Sequence, residues 1–202
     1  MNYRHLFPNF RCRRWAGLGT AVLLMSLLAA SGTSARADDA SAKAKLFDKD
    51  GNAVGRVMFV QKPDDLVEVR VEVTNLSPDQ QGFHGFHIHG VGVCDPTGPK
   101  PFDSAGAHFD LDGHSHPHHT GDMPVLLVNA EGTGKARFRT DRFSVADLFD
   151  ANGSAVIVHE VEDNYANIPV DRYAPPPDAT TLRTGDAGAR IACGVIERGE
   201  DD

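Results

Sequence analysis

Val67-Glu68-Val69-Arg70-Val71-Glu72-Val73 alternates valine with a charged residue at every step. Successive side chains of a strand point to opposite faces, so this stretch predicts a half-buried β-strand. Working outward, Val54–Val60 reads as a second strand, joined to the first through Lys62-Pro63-Asp64-Asp65, a turn sequence. Phe83–His89, Val125–Val128, Ala136–Thr140, Ala155–His159 and Ile191–Ile196 read as further strands. Asn129–Lys135, with Gly132 and Gly134, reads as a hairpin connection, and Asp38–Lys43 as a mobile polar stub. No long segment carries a helical period; Ser144–Phe149 offers a turn or two, with Ser144 as N-cap. Seven or more short strands with Gly/Pro-rich links predict an all-β sandwich or flattened barrel. Two connections, Gly90–Pro124 and Glu160–Arg190, are too long to be simple turns, and long ordered loops in a compact domain are usually functional.

The first 37 residues read differently. Arg11, Arg13 and Arg14 precede an apolar run from Gly17 to Ala30, and Ala35-Arg36-Ala37 is a small-x-small pattern. This predicts a secretory signal peptide over 1–37, cleaved after Ala37, with an exported domain over 38–202. The apolar run is shorter than the roughly 20 residues of a bilayer span. Arg13-Arg14 leaves a twin-arginine route open beside the general one. With 15 Lys and Arg against 28 Asp and Glu after Ala37, the remaining chain carries a net charge of −13. That argues against nucleic acid and anionic membrane as expected partners, and no membrane span is expected after cleavage. Export makes a disulfide between the two remaining cysteines, Cys94 and Cys193, chemically reasonable.

Outside the leader there are nine histidines, all between His84 and His159. On a strand, His87 and His89 point to one face, and their imidazoles can converge on one ion. His159 ends another apolar strand, and three strand-borne nitrogens suit copper or zinc. His119 and Asp122 offer a nitrogen and a carboxylate three residues apart, which an imidazole or two from the same loop could complete to a closed tetrahedral zinc site.

The blocks Gly85-Phe86-His87-Ile88-His89, Ser104–Phe109, Gly121-Asp122, Val158-His159-Glu160 and Gly185–Ile196 resemble, in order, those of the copper/zinc superoxide dismutases of bacterial secreted type. The resemblance covers roughly Lys45 to Arg198. It implies a Greek-key β-sandwich, or flattened barrel, with two long functional loops. It implies His87, His89, His108 and His159 as copper ligands, with His108 bridging to zinc. His108, His116, His119 and Asp122 are the implied zinc ligands; the loop from His108 to Asp122 is shorter than usual, so His114 stands as alternate to His116, with His118 a further neighbour. Asp163 matches the carboxylate that links histidines of the two sites, Cys94 and Cys193 the disulfide, and Arg190 the arginine beside copper.

The implied reaction turns superoxide into oxygen and hydrogen peroxide by copper redox cycling, with Arg190 and His108 as catalytic residues and superoxide as the partner. It would protect an extracytoplasmic compartment (periplasm, envelope or outside the cell), as a monomer or homodimer. The second expectation, from a different class, is an extracytoplasmic copper or zinc storage protein. Such a protein would need neither Arg190 nor a bridging His108.

Overall fold

The computed structural model describes residues 40–199; the expected leader lies outside them. Nine strands are formed among the described residues: β1 Ser41–Asp48, β2 Ala53–Gln61, β3 Val67–Val73, β4 Gly82–His84, β5 Phe86–His89, β6 Leu126–Val128, β7 Gly134–Thr140, β8 Ala155–His159 and β9 Arg190–Arg198. A curled seven-stranded sheet has the order β5-β8-β9-β1-β2-β3-β7, and β4 pairs separately with β6. All pairings are antiparallel, and the architecture is a Greek-key β-sandwich of flattened-barrel form with two long loops. No described helix is long and apolar enough to cross a membrane.

The inward faces share one apolar core, including Leu46, Val57, Phe59, Val69, Phe86, Ile88, Leu126, Val156 and Val158. Each such side chain contributes about 1.5–3 kcal/mol on burial. The Lys62–Asp65 turn forms, with the Asp65 N–H donating to the Lys62 carbonyl and the Lys62 N–H to Leu66. The Asn129 connection is a tight turn, with the Asn129 N–H donating to Thr133 and the Gly132 N–H to Asn129. It is not the expected hairpin, since β6 pairs with β4 and β7 with β3. Its Gly132 has φ +70° and lies so close to Leu76 that a Cβ would sit 2.0 Å from its carbonyl oxygen. Ser144 begins a single 3-10 turn over Val145–Phe149, where the Asp147 carboxylate accepts from the Ser144 N–H and hydroxyl.

Two further sequence expectations are corrected. The expected polar stub runs into β1, which pairs with β2 on one side and β9 on the other and buries Ala42, Ala44 and Leu46. Alanine and lysine are poor strand formers, so the signal of this alternation was weak; pairing on both edges decides the outcome. The single strand expected over Phe83–His89 is two, because the chain changes partner at Gly85, from β6 to β8. A Cβ at Gly85 would meet that of Ala187 at 2.6 Å.

The polar face of β3 also departs from simple exposure. Glu68 is buried, its carboxylate accepting from Arg70 Nε at 2.7 Å and Arg137 Nη2 at 2.7 Å. Arg137 is the largest influence on it, burial opposes, and Arg70 adds; together they hold its pKa at about 2. A carboxylate lowered on folding stabilises above its unfolded pKa, and that contribution fades as pH falls towards the folded value. We therefore expect Glu68→Gln to lower the melting temperature at pH 7. The gap to the parent should close between the ordinary value of 4.5 and about 2; a gap that persists unchanged at pH 2 would count against the ion pairs as its source.

Candidate metal centre

Phe86 and Ile88 of β5 are core residues, so the alternation turns His87 and His89 to the outer side of the sheet. On β8, Val156 and Val158 point inward, and a register shift between Val158 and His159 re-aims the last residue. The first long loop then folds back along β5. The Ile88 N–H donates to Gly121, the Phe109 N–H to Ile88, and the Gly90 N–H to Ala107, each at 2.9 Å. This sets His108 opposite His89 and Asp122 opposite His87. Gly121 permits the approach, since a Cβ there would lie 2.5 Å from the Ile88 carbonyl oxygen.

Each ring has one nitrogen engaged in orienting it. His89 Nδ1 lies 2.9 Å from the Gly106 carbonyl and His159 Nδ1 3.2 Å from that of Gly188, so their Nε2 atoms, 3.4 Å apart, face each other. His87 Nε2 lies 2.6 Å from Asp163 Oδ2, which leaves Nδ1 without a partner. His108 Nε2 is likewise a buried orphan. One ligand atom from each of His87, His89, His108 and His159 can be drawn within 4.8 Å of the others.

A second group lies against the first. His108 Nδ1 is 2.7 Å from Asp122 Oδ1, while His116 Nδ1 and His119 Nδ1 are both 3.1 Å from Asp122 Oδ2 and otherwise unpartnered. His87, His108, His116 and Asp122 fall within one 4.8 Å group. His87 is shared with the first group, and His119 stands outside this one with its own unpartnered Nδ1 facing the same Asp122 carboxylate. Asp163 Oδ1 accepts from His116 Nε2 at 2.7 Å, so this one carboxylate joins both groups. Buried nitrogens without hydrogen bonds are costly unless something else fills them. Here they converge, and three nitrogens plus a carboxylate match a closed zinc donor set, while four imidazoles suit copper.

The electrostatics agree for the histidines of the first group. Metal ligands must be unprotonated. Burial pushes His87 down to about 4 and His89 and His159 well below their ordinary value, with neighbouring histidines adding to it. His116 differs: burial would lower it, but Asp122 and Asp163 outweigh that and raise it to about 9. Burial would raise Asp122 and Asp163; the imidazoles beside them instead hold both carboxyls well below the usual range.

Arg190 begins β9, its guanidinium donating to the carbonyls of Phe102 at 2.5 Å and Gly106 at 2.6 Å. It lines an open cleft with His89, His108, His159, Lys100 and Arg183. Cys94 and Cys193 form a disulfide with Cα atoms 5.7 Å apart, packed with Phe102, Ala105, Ala155 and Ile157. His116 is buried, whereas His114, the alternate, is half exposed beside Asp110, and His118 is exposed. Sequence reasoning missed Tyr165, which stacks on His116 (centroids 6.5 Å apart, planes at 12°) and accepts from the Val125 N–H. It also missed Gly185, which caps the short helix Thr181–Thr184 at φ +58° and packs against the Asp163–His116 pair. Only the aromatic after Asp163-Asn164 and the glycine before Asp186 hinted at them; the contacts depend on how the loops meet.

A sequence model described as copper/zinc superoxide dismutase matches residues 53–196. The Cu-Zn superoxide dismutase of Mycolicibacterium paratuberculosis is 41% identical over 162 residues, covering 74% of this chain and 71% of that one. That of Deinococcus radiodurans is 30% identical over 193 residues, 88% of this chain and 96% of the relative. The crystal structure of a double mutant of a superoxide dismutase-like protein from Bacillus subtilis superposes with a TM-score of 0.58 at 31% identity, over 75% of this chain and 94% of that one.

A Cβ at Gly185 would fall 1.9 Å from Asp163 Oδ1 and 2.5 Å from His116 Nε2. Gly185→Ala should therefore break the carboxylate link and lower divalent-metal affinity by about 10–100-fold, the usual effect of losing an orienting partner. Competition with a chromophoric chelator measures this; unchanged affinity would mean that Asp163 does not order the ligands.

Proposed function

The chain belongs to the copper/zinc superoxide dismutase family, and from that premise we propose how its own residues perform the family's reaction. The protein is a superoxide dismutase with copper and zinc as cofactors. Copper, when bound, exchanges single electrons, so that one superoxide leaves as oxygen and another, with two protons, as hydrogen peroxide, while zinc adds charge without redox chemistry. Copper would be held by His87, His89, His108 and His159, and zinc by His108, His116, His119 and Asp122. The supporting observation is the set of four buried, unpartnered ring nitrogens, on His87, His108, His116 and His119, pointing into two adjoining groups. His108 belongs to both, with Nδ1 on Asp122 and Nε2 towards the copper group.

The residues around the cleft handle an anionic substrate. The chain's overall acidity opposes its capture, but charge in a low-dielectric cleft acts locally. Lys100, Arg183 and Arg190 line this cleft against Asp103 and Asp186. The two carbonyls that hold Arg190 fix its plane and leave its remaining N–H groups to bind superoxide and its products. The buried Nε2 of His108 has no hydrogen-bond partner and lies at the cleft, where it would hold copper and, when free of it, could take a proton.

Residues 1–37 are proposed as the export signal and 38–202 as the exported dismutase domain. The Cys94–Cys193 disulfide supports an oxidising compartment. The link closes about 100 residues, which in the chain-entropy view stabilises by roughly 4–5 kcal/mol.

The direct test is a dismutation assay on metal-loaded protein with bound copper measured in parallel. Arg190→Ala should keep its copper and lose about tenfold or more in rate; His159→Ala should lose copper and activity together. Copper bound by the parent without turnover would instead indicate storage. For zinc, His116→Ala should abolish stoichiometric binding and His114→Ala should leave it intact, read by metal analysis after dialysis. The opposite pattern would reassign the middle ligand.

A further inference from the structure

The outer face of β1, β2, β3 and β7 lies away from the metal centre and has an unusual charge pattern. The registers align three rows across the four strands: Lys45-Arg56-Glu72-Lys135, Lys43-Met58-Arg70-Arg137 and Ser41-Val60-Glu68-Arg139. Seven of these twelve positions are Lys or Arg and two are carboxylates, giving a local charge of +5. The rest of residues 38–202 holds eight Lys and Arg against 26 Asp and Glu, a charge of −18.

The two carboxylates sit beneath the cations. The Glu68 side chain is 2% exposed and that of Glu72 27%, whereas Arg137 is 65% and Lys135 72% exposed. Glu68 draws in Arg70 and Arg137, and Glu72 draws in Arg56 and Lys135. Burying a carboxylate in the polar face of a strand costs desolvation. What it yields is an ordered layer of guanidinium and ammonium groups facing outward.

We propose that this face docks the protein onto a membrane surface rich in anionic phospholipids. Guanidinium groups pair with phosphate in two-point geometry, and four of the seven cations are arginine. The array is two-dimensional, about 14 Å across the strands and about 14 Å along them from strand spacing and rise. That extent suits a plane of head groups better than one linear polymer. No aromatic residue lies in the three rows, so there is no stacking platform for unpaired bases. Two further carboxylates border the rows, Asp64 at 3.2 Å from Arg139 and Glu197 opposite Lys43; with them the patch still carries +3, which salt screens only beyond roughly 8–10 Å. The histidine cleft lies at the other end of the sheet order, on β5 and β8, and docking leaves it open to solvent.

The test uses metal-loaded protein and sedimentation with two kinds of vesicle: phosphatidylcholine alone, and phosphatidylcholine mixed with phosphatidylglycerol. Binding is expected only to the mixed vesicles, falling steeply as salt is added. The triple variant Lys43→Gln, Lys45→Gln, Lys135→Gln spares the Glu68 ion pairs and should bind at least about tenfold more weakly, with its melting temperature and dismutation rate unchanged. Equal binding to both vesicles, no binding to the mixed ones at low salt, or an unchanged triple variant would each overturn the proposal. So would salt-sensitive self-association of the protein alone, relieved by the triple variant and without vesicle binding, which would make a second copy the partner of this face.

Discussion

A carboxylate withdrawn from water must find a donor for each oxygen, and Asp163 finds three groups that belong to different parts of the fold. Its Oδ2 takes His87 from β5, and its Oδ1 takes His116 from the first loop and the Tyr165 N–H from the second. Left unpaired, such a buried charge would cost several kcal/mol. The requirement therefore works as a constraint on assembly: strand, first loop and second loop must come together for Asp163 to be satisfied. Once they do, both imidazoles are oriented by the nitrogen that Asp163 engages, and their other nitrogens are turned towards the two ligand groups.

The rest of the centre follows from the open edge of β5. A seven-stranded sheet that ends at β5 leaves unpaired backbone groups there, and the first loop covers them through Ala107, Phe109 and Gly121. That edge pairing, more than any helix or turn, delivers His108 and Asp122 to the histidines of β5. The Cys94–Cys193 bond ties the same loop to β9, and the Phe102 carbonyl beside it receives Arg190. Phe102 holds a left-handed φ of 62°, a conformation that non-glycine residues seldom adopt, buried against the disulfide cluster. The disulfide thus supports the surface on which the arginine is held, and the second loop enters through the His116 N–H to Leu182 carbonyl bond.

Much of this was legible because strands write their periodicity directly into sequence. The valine alternation of β3 predicted both element and facing, and the apolar run before His159 predicted the element. The two histidines two apart on β5 gave the one ligand pair whose convergence follows from strand geometry alone. β1 was illegible because its inward residues are mainly alanine, whose apolar signal is small, and because its place between β2 and β9 is a matter of long-range pairing. The choice between His114 and His116 was illegible for another reason. Both sit in a loop without periodicity, and only the approach of Asp163, 47 residues further on, separates the buried one from the exposed one. Within the second loop Tyr173–Pro177 is mostly exposed, and Tyr165 packs on His116.

The charge balance of the centre turns on its metal ions. Without metal, Asp122 and Asp163 are ionised and His116 is protonated, and Lys100, Arg183 and Arg190 face Asp103 and Asp186 across the cleft. Those charges cancel. Two divalent ions would shift the same volume by two positive charges, once His116 and the bridging His108 had each given up a proton on ligation. A bound ion is the largest charge in such a site, so the chain's side chains alone do not draw an anion inward against an acidic exterior. The fixed cations at the rim of the cleft then serve to shape the field that the ions create.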